Sequence, residues 1–201
     1  MRNEKRSARR EQIEAAAYDL LSQGGYQGAT MQAVAQRAGA SMETLYRWYG
    51  DKHGLFRALV ARNADEVRTA LEEGLHLGVD PLSALKAVGP LLLALLTGDR
   101  AVALNRAAAS DATGELGAAI AEAGRETILP LLAGLFARHG TAEAGAAPEE
   151  VADIYVRLLI GDLQIRRVTG CINALHPAER EERARQALQL TCALFYRPRQ
   201  P

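Results

Sequence analysis

The sequence predicts an all-α fold. Strong helix formers dominate its 201 residues, and no β-branched run or strand-type alternation occurs. Apolar residues instead recur at helical spacing between capping residues and glycines. At 48% hydrophobic and 24% charged, this is the composition of an ordinary folded chain, long enough for one or two compact units.

The elements follow in order. Ile13, Ala16, Ala17, Leu20 and Leu21 form one stripe, predicting a helix from about Ser7 to Gln23 that Gly24 and Gly25 stop. Tyr26 leads to Thr30, an N-cap for the next helix; Ser41 caps a short helix, Ser41–Trp48, and Asp51 the one after. From Asp51 the chain runs helically to about Leu77, roughly 40 Å at ~1.5 Å per residue, a lever between two units. Asp80-Pro81 restarts a helix whose Leu82–Leu96 portion is apolar almost all round, the mark of a central helix. A short helix spans Asp99 to about Ala109, and another runs from Thr113 to Arg138 with a bend at Pro130. Residues 140–147 form a loop. Pro148 opens a helix over Glu149–Gly170, and Pro177 opens the last, Ala178–Tyr196.

Residues 30–56, TMQAVAQRAGASMETLYRWYGDKHGLF, carry the most information. Ala35 is small where two helices cross, Gly39 supplies the turn, and Leu45 closes the small core. This spacing fits a helix-turn-helix, which lays its second helix in the major groove of DNA, and also a plain αα-hairpin. Trp48, Tyr49 and Phe56 are read as packing for that small core, which holds six of the ten aromatic residues before position 57.

The stretch IEAAAYDLLSQGGYQGATMQAVAQRAGASMETLYRWYGDKHGLFRAL, within about residues 9–59, resembles the TetR family of transcriptional regulators. The resemblance implies an N-terminal three-helix DNA-binding domain over residues 1–56. A helical ligand-binding and dimerisation domain would then occupy 57–201. It also places Met42, Glu43 and Thr44 at the exposed start of the reading helix that Ser41 caps. Thr44 would touch a thymine methyl or a nearby group, and Glu43 would accept from a cytosine amino group or swing aside. Glu43 departs from the small residue usual there. Tyr46 and Lys52 match phosphate-contacting positions, and Thr30 and Gln32 can present hydroxyl, amide and backbone N–H groups to a phosphate. Arg47 can reach either the backbone or a guanine.

Charge agrees with this polarity. The whole chain is neutral, but residues 1–56 carry +2 and 57–201 carry −2. Arg2, Lys5, Arg6, Arg9 and Arg10 face only Glu4 in the first ten residues, which suggests an arm to the DNA backbone or minor groove. No apolar stretch follows that would make it a signal peptide. The strongest apolar run, Val88 to Leu96, falls short of the ~20 residues a bilayer span needs, so the expected setting is cytoplasmic, with no membrane partner. Cys171 and Cys192 read as small core residues, with a redox role left open. His53, His76, His139 and His176 are scattered without metal-ligand spacing. No nucleophile, carboxylate pair or phosphate loop stands at a telling spacing, so neither catalytic residues nor a cofactor is expected.

The second half, in VADIYVRLLIGDLQIRRVTG and the Arg125/Pro130 helix, is similar to the AefR-like subset of TetR C-terminal regions. That likeness implies a small apolar effector bound among the central helices. Leu92, Leu96, Leu104, Ile128, Leu132 and Tyr155 would line its cavity, with Asn105, Arg106 and Asp111 as polar anchors. Val151, Ile154, Tyr155, Leu158, Leu159 and Leu163 of the penultimate helix suggest a four-helix homodimer interface with the last helix. There Ala184, Ala187, Leu188, Thr191, Leu194 and Phe195 form the matching stripe. The expected function is a ligand-responsive regulator, a repressor more than an activator, holding a near-palindromic operator as a dimer. The alternative is a helical protein-interaction adaptor without specific DNA binding.

Overall fold

The computed structural model describes residues 2–76, 78–140, 142 and 145–196, with Arg2 and Asn3 described in their backbone alone. The regular structure of the described residues is all helical, with no strand among them. The helices are α1 (Arg2–Gly28), α2 (Met31–Ala38), α3 (Met42–Tyr49), α4 (Lys52–Gly74), α5 (Pro81–Thr97) and α6 (Asp99–Ala109). They continue with α7 (Glu115–Ile120), a π turn (Ala121–Arg125), α8 (Glu126–His139), α9 (Pro148–Ile160), α10 (Leu163–Val168) and α11 (Pro177–Phe195). Leu77, Thr141, Glu143 and Ala144, expected at the end of the lever and in the loop, lie outside the described residues.

Contacts divide the chain into two units. The first joins Met1–Asn63 to Arg100–Gly124, and the second joins Ala64–Asp99 to Arg125–Pro201. The division therefore does not follow chain order: α6 and α7 pack with α1–α4. Leu104, Ala107, Leu116 and Ala123 share a buried core with Ile13, Ala17, Val34, Leu45 and Phe56. In the second unit, Leu85, Val88, Leu92 and Leu93 of α5 meet Ile128, Leu132 and Phe136 of α8, Tyr155 and Leu159 of α9, and Leu188 of α11. The all-round apolar α5 is thus the central helix of that unit, as its composition predicts. Gly89 makes the crossing possible: a Cβ there would lie 2.6 Å from the Tyr155 hydroxyl and 2.8 Å from Ala184 Cβ.

Several boundaries differ from expectation for identifiable reasons. α1 starts at Arg2 rather than Ser7, and it passes Gly24 before kinking at Gly25, where φ is 62°. The basic start is therefore helical. The helix expected over 113–138 is interrupted by the π turn five to nine residues ahead of Pro130, which itself lies inside α8. The helix expected over 149–170 breaks at Gly161, whose φ of 48° ends α9 before α10 begins. On α11, Ala184, Ala187, Leu188 and Thr191 are buried inside the unit, so internal packing absorbs the small-residue stripe. The apolar residues left exposed nearby are Leu190 (54%), Leu194 (63%) and, on α10, Ile165 (58%).

Candidate nucleic-acid interface

The α2–turn–α3 unit is fixed at each joint by a residue suited to the task. Thr30 Oγ1 accepts from the Ala33 N–H at 3.1 Å, and Ser41 Oγ accepts from the Thr44 N–H at 3.1 Å. Between them Gly39 adopts φ 59°, and the Ala40 N–H returns to the Ala35 carbonyl at 2.9 Å, closing the α2 C-terminus. Arg9 of α1 donates to the Ala38 and Gly39 carbonyls at 3.1 and 3.2 Å. One of the basic residues assigned to phosphate thus serves as a clamp on the turn. Val34, Ala35 and Leu45 are buried where α2 and α3 cross, matching the expected small core. Gly54 is a further requirement that spacing did not reveal: a Cβ there would sit 2.0 Å from the Tyr49 carbonyl oxygen.

The expected DNA-contacting residues fall on one stretch with graded exposure. Thr30, Gln32, Ser41, Glu43, Tyr46 and Arg47 are exposed, whereas Met42, Thr44 and Lys52 are half-buried. Tyr46 is 52% exposed, unusual for a ring with no core role. Glu43 and Arg47 face each other at 3.8 Å, both well hydrated, a pairing weak enough to open at little cost. The Thr44 hydroxyl lies 2.9 Å from Ser41 Oγ and is engaged in the cap. Lys52 Nζ sits 3.8 Å from the centroid of the Tyr26 ring, and burial lowers its pKa. Arg6 and Arg10 of α1 stand over Trp48 at 5.7 and 5.8 Å, bringing positive charge to the end of α3.

Behind this surface lies a polar cluster that the sequence did not announce. Glu14, 6% exposed, pairs with Arg62 of α4 at 3.0 Å. Burial pushes its carboxyl pKa up, against the pull of Arg62 and Arg100. Burial also pushes the Tyr18 hydroxyl up to about 12, and the buried Tyr18 and Tyr49 hydroxyls have no hydrogen-bond partner. A lone glutamate on the apolar face of α1 was the available signal.

The α6–α7 segment is bound into the same unit. Tyr26 Oη donates to Glu115 at 3.1 Å, Gln27 Nε2 to Asp111 at 3.3 Å, and Arg57 to Glu122 at 2.8 Å. Asp111 also accepts from the Thr113 hydroxyl at 2.7 Å and the Leu116 N–H at 3.1 Å. Burial raises its pKa, yet these hydrogen bonds outweigh that and leave the carboxyl lowered. The residues expected to line an effector cavity therefore divide. Leu92, Ile128, Leu132 and Tyr155 are buried together in the second unit, with Leu96 half-buried at the edge of that core. Leu104, Asn105, Arg106 and Asp111 belong to the first; Asn105 donates to the Ala101 carbonyl of its own helix at 2.8 Å. Tyr155 is fully buried, stacked edge-on to Phe136 at 5.5 Å, and its hydroxyl has no partner.

Among the described residues no group of three or more His, Cys, Asp or Glu is placed to hold a metal. No single described helix is long and apolar enough to cross a membrane.

A short second helix left exposed after a tight turn is the arrangement of the helix-turn-helix class of DNA-binding proteins. Residues 13–59 match the model of bacterial regulatory proteins of the TetR family, and residues 83–197 match that of the AefR-like transcriptional repressor C-terminal domain. The chain belongs to the TetR family of transcriptional regulators, which are not enzymes. It is 32% identical over 82 residues to the transcriptional activator FasR of Mycolicibacterium smegmatis, covering 41% of this chain and 37% of FasR. It is 39% identical over 59 residues to the transcriptional repressor KstR of Rhodococcus jostii, covering 29% and 28%. The match thus spans well under half of each of these curated relatives. A TetR-family regulator from Mesorhizobium loti superimposes over 94% of this chain and 97% of its own, with a TM-score of 0.71 and 26% identity.

Proposed function

We propose that this chain is a ligand-responsive transcriptional repressor working in the cytoplasm. It binds a near-palindromic operator as a homodimer and releases it on taking up a small apolar effector. DNA contact falls to residues 1–56, and effector binding and dimerisation to 57–201. The observation that carries this reading is the exposed α3 face, with Ser41, Glu43, Tyr46 and Arg47 presented to solvent on a doubly capped helix-turn-helix. Thr30, Gln32 and Lys52 flank it as phosphate contacts, and Met42 and Thr44 complete the reading turn. The AefR-like repressor model over residues 83–197 and KstR, named a repressor, support the negative sign of regulation, against FasR, named an activator.

The dimer forms through the last two helices, and Leu190, Leu194 and Ile165 supply an exposed apolar face there. The effector site uses Leu92, Leu96, Ile128, Leu132 and Tyr155 of the second unit, the last with an unpartnered hydroxyl to offer, whereas Leu104, Asn105, Arg106 and Asp111, expected to join them, belong to the first. Coupling of ~1–3 kcal/mol between effector and operator would weaken DNA binding roughly 5–150-fold, enough to switch a promoter.

Selection of bound fragments from a random duplex pool with the purified chain tests this directly. The expected product is an inverted repeat with half-sites about 10 base pairs apart or a multiple of that. Failure to enrich any sequence would defeat the reading and favour a protein-interaction adaptor.

A further inference from the structure

We infer that Glu115, with Asp111 beside it, restrains the Lys52 ammonium and so sets how strongly this chain grips duplex DNA. The inference rests on reading Lys52 as a phosphate contact, and goes beyond that reading by assigning a role to the α6–α7 corner.

Lys52 opens α4, and its ammonium lies over the Tyr26 ring at 3.8 Å from the centroid. That ring is 2% exposed and held edge-on by Phe56 at 5.0 Å, so it is a fixed platform. Its hydroxyl donates to Glu115 Oε2 at 3.1 Å, and Gln27, the next residue, donates to Asp111 at 3.3 Å. Two carboxylates thus stand behind the platform on which the ammonium rests. A phenol that donates to a carboxylate gains electron density on its ring face, which strengthens its hold on a cation. Both carboxylates also attract Lys52 through space, opposing the effect of its burial.

A phosphate approaching Lys52 must therefore compete with the ring and with two negative groups. The acidic corner is itself rigid: the Thr113 hydroxyl and the Leu116 N–H fix the Asp111 carboxylate, and Gly114 turns the chain at φ 73°. Movement of that corner would change the grip on DNA without disturbing any residue of α3.

The test is a double-mutant cycle of Glu115→Gln and Lys52→Ala, reading anisotropy of a labelled mixed-sequence duplex of about 30 base pairs across a salt series. Glu115→Gln keeps an acceptor for the Tyr26 hydroxyl, and equal thermal midpoints establish that it folds. With Lys52 present, Glu115→Gln should tighten binding roughly 3- to 10-fold at low salt. With Lys52→Ala it should change nothing. Equal tightening in both backgrounds, or none in either, overturns the restraint. If Lys52→Ala alone leaves affinity and salt slope unchanged, the phosphate role of Lys52 fails instead. A readout without DNA is the Lys52 titration followed by NMR: Glu115→Gln should lower its pKa, and an unmoved titration overturns the coupling.

Discussion

At the scale of single residues, charge and hydroxyl placement decide most outcomes. Lys52→Ala should reduce the slope of log affinity against log salt by about one, as loss of one phosphate contact requires. Tyr46→Phe should weaken binding while leaving that slope nearly unchanged, because a phenol carries no charge; anisotropy titrations at several salt concentrations separate the two. Glu14 makes a different, pH-linked contribution. Its folded pKa lies above the ordinary 4.5, so the folded chain holds a proton that the unfolded chain releases between those values. The associated stability is present below about pH 4.5 and is lost as pH rises through the folded value. Denaturant midpoints should show this loss for the unaltered chain relative to Glu14→Gln, and parallel curves for the two would contradict it.

Tyr155 and Glu14 also mark what residue type alone conveys. Tyr155 lay on a predicted apolar stripe, whereas Glu14 was not singled out, and neither a vacant hydroxyl nor a buried ion pair has a sequence signature. Each depends on what a distant helix brings: Arg62 from α4 for Glu14, and Gly89 of α5 with Ala184 of α11 for Tyr155.

At the scale of elements, caps and glycines fix the geometry. Thr30, Ser41, Asp51 and Asp80 were legible as caps because the interaction is local, and each accepts the backbone N–H three residues on. Gly39 was legible for the same reason. Gly161 was not, since a glycine inside a periodic run looks like any other until its φ of 48° is seen. Gly54 was missed because the atom that excludes a side chain there belongs to the preceding helix. Gly54→Ala should cost about 1–3 kcal/mol in denaturant unfolding, or more if the α3–α4 turn cannot shift. Gly89→Ala should cost a similar ~1–3 kcal/mol, and Tyr155→Phe should recover part of it by removing the hydroxyl that the new Cβ meets. Equal stability of the single and double variants would show that α5 and α9 do not meet as tightly as their separation implies.

At the scale of the whole molecule, the order of the chain and the order of the fold part company. Residues 100–124 belong with the N-terminal helices, a fact hidden from periodicity, which registers only that α6 and α7 bury one face and not against what. The basic N-terminus illustrates the same limit: its charge was countable, but the clamp by Arg9 on the α2 C-terminus was not. Assembly is the other global property. With Leu190 and Leu194 exposed four residues apart on α11, Leu190→Glu with Leu194→Glu should convert a dimer to a monomer in sedimentation and lower operator affinity together. A chain that stays dimeric with both changes would place the interface elsewhere.

A paired molecule that lays α3 in successive major grooves demands a fixed spacing between half-sites. The decisive measurement compares binding of the selected duplex with one carrying ~5 extra base pairs at its centre, which turns the second half-site to the opposite face of the helix. Affinity should fall to that of unrelated sequence. Unchanged affinity for the lengthened duplex would contradict recognition by two coupled α3 helices.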